Sequence, residues 1–175
     1  GLSGIIPQGS LPDELTLNPN ELPKLGICIS PCTDQKPYEE TLHLIPRQTV
    51  LGIGCRKGIS PEDMEAFVER ILREQHISSD SLLAIASIDL KEKEPCMIEL
   101  SRKYQIPFHT YDAHTLSQVQ GQFSSSAYVK TVTGVDNVCE RAALACSGAD
   151  ALTLHKTIDS GKTLAIAMVP IQLYF

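Results

Sequence analysis

The stretch Thr49-Val50-Leu51-Gly52-Ile53-Gly54-Cys55-Arg56-Lys57-Gly58-Ile59-Ser60-Pro61-Glu62-Asp63-Met64 decides the fold class. It opens as a β-branched and apolar run, ends that run in glycines, and passes at once into a helix signature. Ser60 is placed as the N-cap, Asp63 completes a capping box, and Pro61 takes the first helical position, where its missing N–H costs nothing. Met64, Phe67, Val68, Ile71 and Leu72 then recur at helical spacing and form one apolar stripe, so a helix is expected from about Pro61 to Glu74.

The same pattern repeats downstream. Leu82 to Ile88 is an unbroken apolar run, Pro95 opens a helix whose inner side is Met97, Leu100 and Tyr104, and Phe108 to Tyr111 reads as a further strand. Asp112 is placed to cap a short helix. Strands that are apolar throughout, alternating with amphipathic helices, imply an α/β fold: a mostly parallel sheet with helices on both faces. Beyond a polar loop from Gln118 to Ser126, Ser125 or Ser126 can cap a helix carrying Tyr128, Val129 and Val132, with Gly134 as its C′ residue. Asn137 with Glu140 is a second capping-box pair, opening an Ala-rich helix that ends at Gly148. Leu152 to Leu154 and Thr163 to Val169, around the turn Asp159-Ser160-Gly161, read as a closing hairpin at the C-terminus.

Residues 1–46 read differently. Pro7, Pro12, Pro19, Pro23, Pro31 and Pro37 interrupt every candidate helix, and Leu25 to Ile29 is the one stretch there that reads as a strand. This segment is expected to be a leader wrapped on the main body, residues 47–175. The chain begins with Gly rather than Met, so processing or a longer parent chain is expected.

Composition removes several function classes. With 175 residues there is room for one core. The 21 acidic residues against 15 basic ones give a net charge of -6, which argues against a general nucleic-acid binder but leaves room for a local anion site. No apolar run approaches the roughly 20 residues that span a bilayer. Six cysteines at uneven spacing read as reduced thiols rather than a disulfide framework, and a cytoplasmic location is the expectation.

Chemistry-bearing residues gather where an α/β sheet binds its ligands, beyond the carboxyl ends of strands. In Gly52 to Gly58 the glycines allow close backbone approach, while Arg56, Lys57 and the following helix N-terminus favour an anion. A tight strand-to-helix turn with a solvated Arg-Lys pair explains the same residues equally well. This is neither the dinucleotide fingerprint, which wants Gly where Lys57 stands, nor a phosphate-binding P-loop. Asp89 and Lys91 lie beyond the second strand; Asp89 suits a general base or a turn cap. Ser124, Ser125 and Ser126 offer hydroxyls to an oxyanion, although one of them is accounted for as an N-cap. Cys55 beside Arg56 suits a lowered thiol pKa, without a placed histidine to make it a nucleophile. Cys139 and Cys146 read as small core residues. No histidine pair has metal spacing, and Cys28 to Cys32 has no second half, so no metal site is expected.

The blocks Gly52-Ile53-Gly54-Cys55-Arg56-Lys57-Gly58, Ile88-Asp89-Leu90-Lys91, Phe123-Ser124-Ser125-Ser126, Thr133-Gly134-Val135 with Val138, Glu140, Ala142 and Ala143, and finally Lys156 occur in the order and spacing of one family. From about Thr49 to Val169 the chain resembles the carboxyl-terminal domain of CbiG, the cobalt-precorrin-5A hydrolase family of cobalamin biosynthesis, and the stand-alone CobE proteins. Leu42-His43-Leu44-Ile45-Pro46 resembles the segment that joins the CbiG middle region to this domain, which makes residues 1–46 a remnant of that region and residues 47–175 the CbiG/CobE-like domain. Two departures stand out: these residues are expected to lack the amino-terminal CbiG domain, and His155 stands where a proline usually precedes the lysine. The resemblance implies opening of the ring-A δ-lactone of cobalt-precorrin-5A, with release of acetaldehyde, to give cobalt-precorrin-5B. A CobE-like module that binds or carries a corrinoid intermediate without chemistry is the alternative. No cofactor of its own is implied, because the substrate carries the cobalt; the expected partners are the tetrapyrrole and the amino-terminal CbiG domain. Under this resemblance Asp89 and Glu140 are the candidate bases. Gly54, Cys55, Arg56, Lys57, Lys91, Ser124, Ser125, Ser126, Thr133, Gly134 and Lys156 are the candidate substrate contacts.

Overall fold

The computed structural model describes residues 5–8, 25–121, 123, 131 and 133–174. Its centre is a five-stranded sheet in which β4 (Thr49–Cys55) lies in the middle. On one side β4 pairs in parallel with β5 (Leu82–Ile88), which pairs in parallel with β6 (Phe108–Tyr111). On the other side it pairs antiparallel with β8 (Lys162–Met168), whose antiparallel partner β7 (Leu154–Asp159) forms the edge. The sheet is therefore mixed: β8 alone runs against the other four strands, because the closing hairpin inserts its second strand, not its first, beside β4.

The sequence periods translate directly into layers. Leu51 and Ile53 of β4, Ile85 of β5, and Leu164 and Ile166 of β8 point to one face, where α1 (Pro61–Glu74) and α2 (Pro95–Tyr104) bury Met64, Phe67, Val68, Ile71, Met97 and Leu100 against them. Ser60 starts α1 as expected, its hydroxyl accepting the Asp63 N–H at 3.1 Å. The opposite face carries α3 (Ala113–Gln118), capped by Asp112, and α4 (Val138–Ser147), capped by Asn137 and closed by Gly148 at φ +64°.

That second face is lined with small residues, Ala86, Ala142, Ala143, Ala165 and Ala167, so α4 lies close against the strands. Gly52 is where they meet. A Cβ there would lie 1.9 Å from the Cys139 carbonyl oxygen and 2.8 Å from both the Ala143 nitrogen and its Cβ. The sequence left the Gly52 to Gly58 stretch open between a ligand loop and a tight turn; at Gly52 the close neighbour is helix α4.

The helix expected around Tyr128, Val129 and Val132, with its Ser124 to Ser126 start, lies outside the described residues. Thr131 and Thr133 are helical, and Gly134 follows at φ +77°, as a C′ residue requires.

The described residues of the leader hold three strands where the sequence suggested one. β2 (Leu25–Ile29) pairs in parallel with β3 (Glu40–Leu44), and β1 (Ile5–Gln8) pairs in parallel with β9 (Ile171–Tyr174). Backbone bonds from Thr33 N–H to the His76 carbonyl and from Ser78 N–H to the Pro31 carbonyl tie it to the loop after α1. Among the described residues no helix is long and apolar enough to cross a membrane.

Candidate functional site

β4 and β5 end side by side, so their following loops share one edge of the sheet. After Cys55 the chain turns through exposed Arg56, Lys57 and Gly58. The Arg56 N–H donates to the Gly161 carbonyl at 2.8 Å, and its guanidinium lies over that glycine, where a Cβ would come within 2.2 Å of Nε. Arg56 thus leans over the β7–β8 turn. Gly58, at φ +82°, allows the turn to close, and its N–H donates to Glu94 Oε1 at 3.1 Å.

After Ile88 the chain makes a single 3₁₀ turn, Asp89–Lys91. Asp89 is exposed, and its Oδ1 accepts the Leu90 N–H at 2.7 Å. Lys91 bends back to Glu94 Oε2 at 2.9 Å, forming an ion pair whose two side chains are largely buried. Burial opposes ionisation of Glu94, but the Lys91 ammonium and the Gly58 N–H together hold its carboxyl below the usual range. Beneath this pair, Cys55 Sγ and Cys96 Sγ are 3.9 Å apart. The Cys96 thiol as donor and the Lys91 ammonium hold the Cys55 thiol below its ordinary value against burial, while Cys96, which gives that hydrogen bond from a buried position, is pushed up.

Glu140 lies at the start of α4, on the face of the sheet away from α1 and α2. It is 0% exposed. Its carboxylate accepts from Asn137 Nδ2 at 2.5 Å and from the Lys156 backbone N–H at 2.7 Å, and lies 3.2 Å from His155 Nδ1. Its own N–H donates to Asn137 Oδ1, so it completes the cap of α4 and ties that helix to β7. Lys156 is carried on β7 directly above it, so the two residues read as separate are joined by one hydrogen bond. Thr133 closes the turn before α4, its Oγ1 donating to the Val135 carbonyl at 2.9 Å. Gly134 opens onto a shallow depression of about 160 Å³, lined also by Ser117, Val135, Asp136 and Arg141. There Arg141 holds Asp136 at 3.1 Å and donates to the Leu116 and Val119 carbonyls, fastening α3 to α4. Gly54 packs against Thr163, whose hydroxyl donates to its carbonyl at 3.2 Å.

The expected site residues therefore form two neighbouring sets, linked where Thr163, which bonds the Gly54 carbonyl, also reaches Cys139 beside Glu140. Gly54, Cys55, Arg56, Lys57, Asp89 and Lys91 share the carboxyl edge of β4 and β5. Thr133, Gly134, Glu140 and Lys156 gather around the start of α4 and β7, and Ser124, Ser125 and Ser126 lie outside the described residues. Sequence reasoning missed Glu94, the residue that organises the first group. An acid three residues after Lys91 and just before a helix-opening proline was the available signal.

Residues 49–167 match the family described as cobalamin synthesis G C-terminus. The chain belongs to this family. It is 34% identical over 125 residues to a protein of Priestia megaterium named cobalt-precorrin-5A hydrolase, a match covering 71% of this chain and 33% of that one. It is 32% identical over 120 residues to protein CobE of a Sinorhizobium species, covering 67% and 78%. The crystal structure of CobE, a protein from the cobalamin biosynthetic pathway, superposes with a TM-score of 0.65 at 35% identity, covering 71% of this chain and 92% of that one. The chain thus spans about a third of the length of the hydrolase it matches, and most of a CobE. Membership in this family places the chain in cobalamin biosynthesis.

Proposed function

We propose that this chain is the tetrapyrrole-binding part of a cobalt-precorrin-5A hydrolase. Its substrate's ring-A δ-lactone is opened with loss of the two-carbon bridge as acetaldehyde, giving cobalt-precorrin-5B. The observation that carries the reading is the pairing of exposed Arg56 and Lys57 beyond β4 with the Asp89–Lys91 turn beyond β5 at one sheet edge. A ligand fringed with acetate and propionate groups is matched by Arg56 and Lys57, exposed cations held there on a short loop. Asp89 is an exposed carboxylate at that edge and suits the base that activates water. Glu140, enclosed by protein, acts by holding β7 and Lys156 in place. Ser124 to Ser126 are proposed as donors to the tetrahedral oxyanion, and Thr133 and Gly134 as contacts to the far side of the ring.

A second reading, a CobE-like carrier without chemistry, is favoured by the near-complete coverage of the CobE structure. Acetaldehyde release from cobalt-precorrin-5A separates the two. The expected result is binding with little or no release by this chain alone, and release once the amino-terminal part of a CbiG is supplied, since closure excludes water and fixes the attacking group. Release at the intact enzyme's rate by the isolated chain overturns the need for that part. No release even from the reconstituted pair favours the carrier.

A further inference from the structure

Cys55 Sγ, Cys96 Sγ and a carboxylate oxygen of Glu94 all lie within 4.8 Å of one another at the end of β4 and the start of α2. The two sulfurs are 3.9 Å apart, too far for a bonded pair. Two thiolates at about 2.3 Å from one tetrahedral ion stand about 3.8 Å from each other. We infer that Cys55, Glu94 and Cys96 form a binding site for a divalent cation of borderline softness such as Zn²⁺, with three protein ligands and a fourth position left for water.

The carboxylate is already prepared for that role. Its Oε1 accepts the Gly58 N–H and its Oε2 the Lys91 ammonium, which uses two of about four lone-pair positions, so a metal bond fits without breaking either. Both contacts then become the outer supports that fix a ligand's orientation. Charge is balanced before and after binding. Without the ion, Glu94 and Lys91 cancel. With it, the cation and Lys91 balance two thiolates and one carboxylate, and the protons that the thiols give up pass to solvent. Affinity therefore rises with pH. The groups facing the thiols are Lys91 and Glu94, with Lys57 near the carboxylate. Positions 55, 94 and 96 come from two separate segments, which is why no short spacing in the sequence announced them.

This inference does not depend on the tetrapyrrole, and its test contains none. The reduced chain is titrated with Co²⁺, followed by sulfur-to-cobalt charge-transfer absorption, and the ion is then displaced by Zn²⁺ against a chromophoric chelator. The expected result is one equivalent bound. Cys55→Ser and Cys96→Ser should each lower affinity by more than the roughly 10–100-fold that losing an outer support costs, and Glu94→Gln should also lower it. The Cys28→Ser/Cys32→Ser double variant should bind as the parent does. Cys96 is fully buried, so circular dichroism checks its variant, and Cys55→Ser at the half-buried strand end carries the test if Cys96→Ser does not fold. Failure of the parent to bind, absence of the charge-transfer band, or binding that survives Cys55→Ser and disappears in the Cys28/Cys32 variant overturns the inference.

Discussion

Gly52→Ala distinguishes a packing glycine from a ligand-binding one. The added Cβ would meet the Cys139 carbonyl at 1.9 Å and the Ala143 backbone nitrogen at 2.8 Å, and neither atom belongs to a flexible side-chain end. Restoring ordinary contact requires α4 to move off the sheet by more than an ångström. That movement loosens Val138, Cys139, Ala142 and Ala143 from β4, β5 and β8 and pulls on the Glu140 bonds to β7. Overpacking of this kind typically costs about 1–3 kcal/mol. For a chain of this size each kcal/mol lowers the midpoint by about 2–4 °C, so a drop of roughly 2–12 °C is expected in thermal unfolding followed by circular dichroism. A variant within about 0.5 kcal/mol of the parent that nevertheless loses tetrapyrrole binding would refute the packing argument and return Gly52 to the ligand.

Gly58→Ala should behave differently: a Cβ there meets nothing within 4 Å, so only the strain of φ +82° remains. The expected cost is about 1–2 kcal/mol, read in the same melt, with the sheet intact. Glu94→Gln removes a carboxyl held below its ordinary value by Lys91 and Gly58 against burial. Its contribution is complete above the ordinary carboxylate range and is lost as pH falls through the lowered folded value. The variant should therefore lose stability at neutral pH and flatten the acid limb of the pH–stability profile, and an unchanged acid limb would show the ion pair to be idle. Lys156 is held through its backbone by Glu140, so Glu140→Ala should lower the melting midpoint and alter tetrapyrrole affinity together. A variant that melts earlier with affinity intact would separate β7 from the site.

Much of this architecture was written locally. Ser60, Pro61 and Asp63, then Asp112, then Asn137 with Glu140 and Gly148, are cap signals that act within one turn of chain, and each marks the start or end of a helix. Unbroken apolar runs gave β4 and β5 because both faces of those strands are covered. β7 escaped from His155 to Asp159 because an edge strand with polar residues has no such run. β1, β3 and β9 were missed for a related reason, as each is held by one partner strand and no core pattern marks it. The candidate site was legible only as far as topology carries: strand ends gather at one edge, so Arg56 and Lys91 could be placed there. That Lys91 is occupied by Glu94, and that Glu140 is enclosed under β7, depends on contacts between segments distant in sequence.

The carboxyl edge of β4 and β5 is the proposed seat of a corrinoid intermediate. Titrating the chain with a cobalt-corrinoid, monitored by its visible spectrum, measures this directly in the parent and in Arg56→Ala. Saturable binding that weakens with added salt and weakens further in Arg56→Ala is the predicted result. Binding that ignores both salt and Arg56, or no spectral change at all, would contradict it.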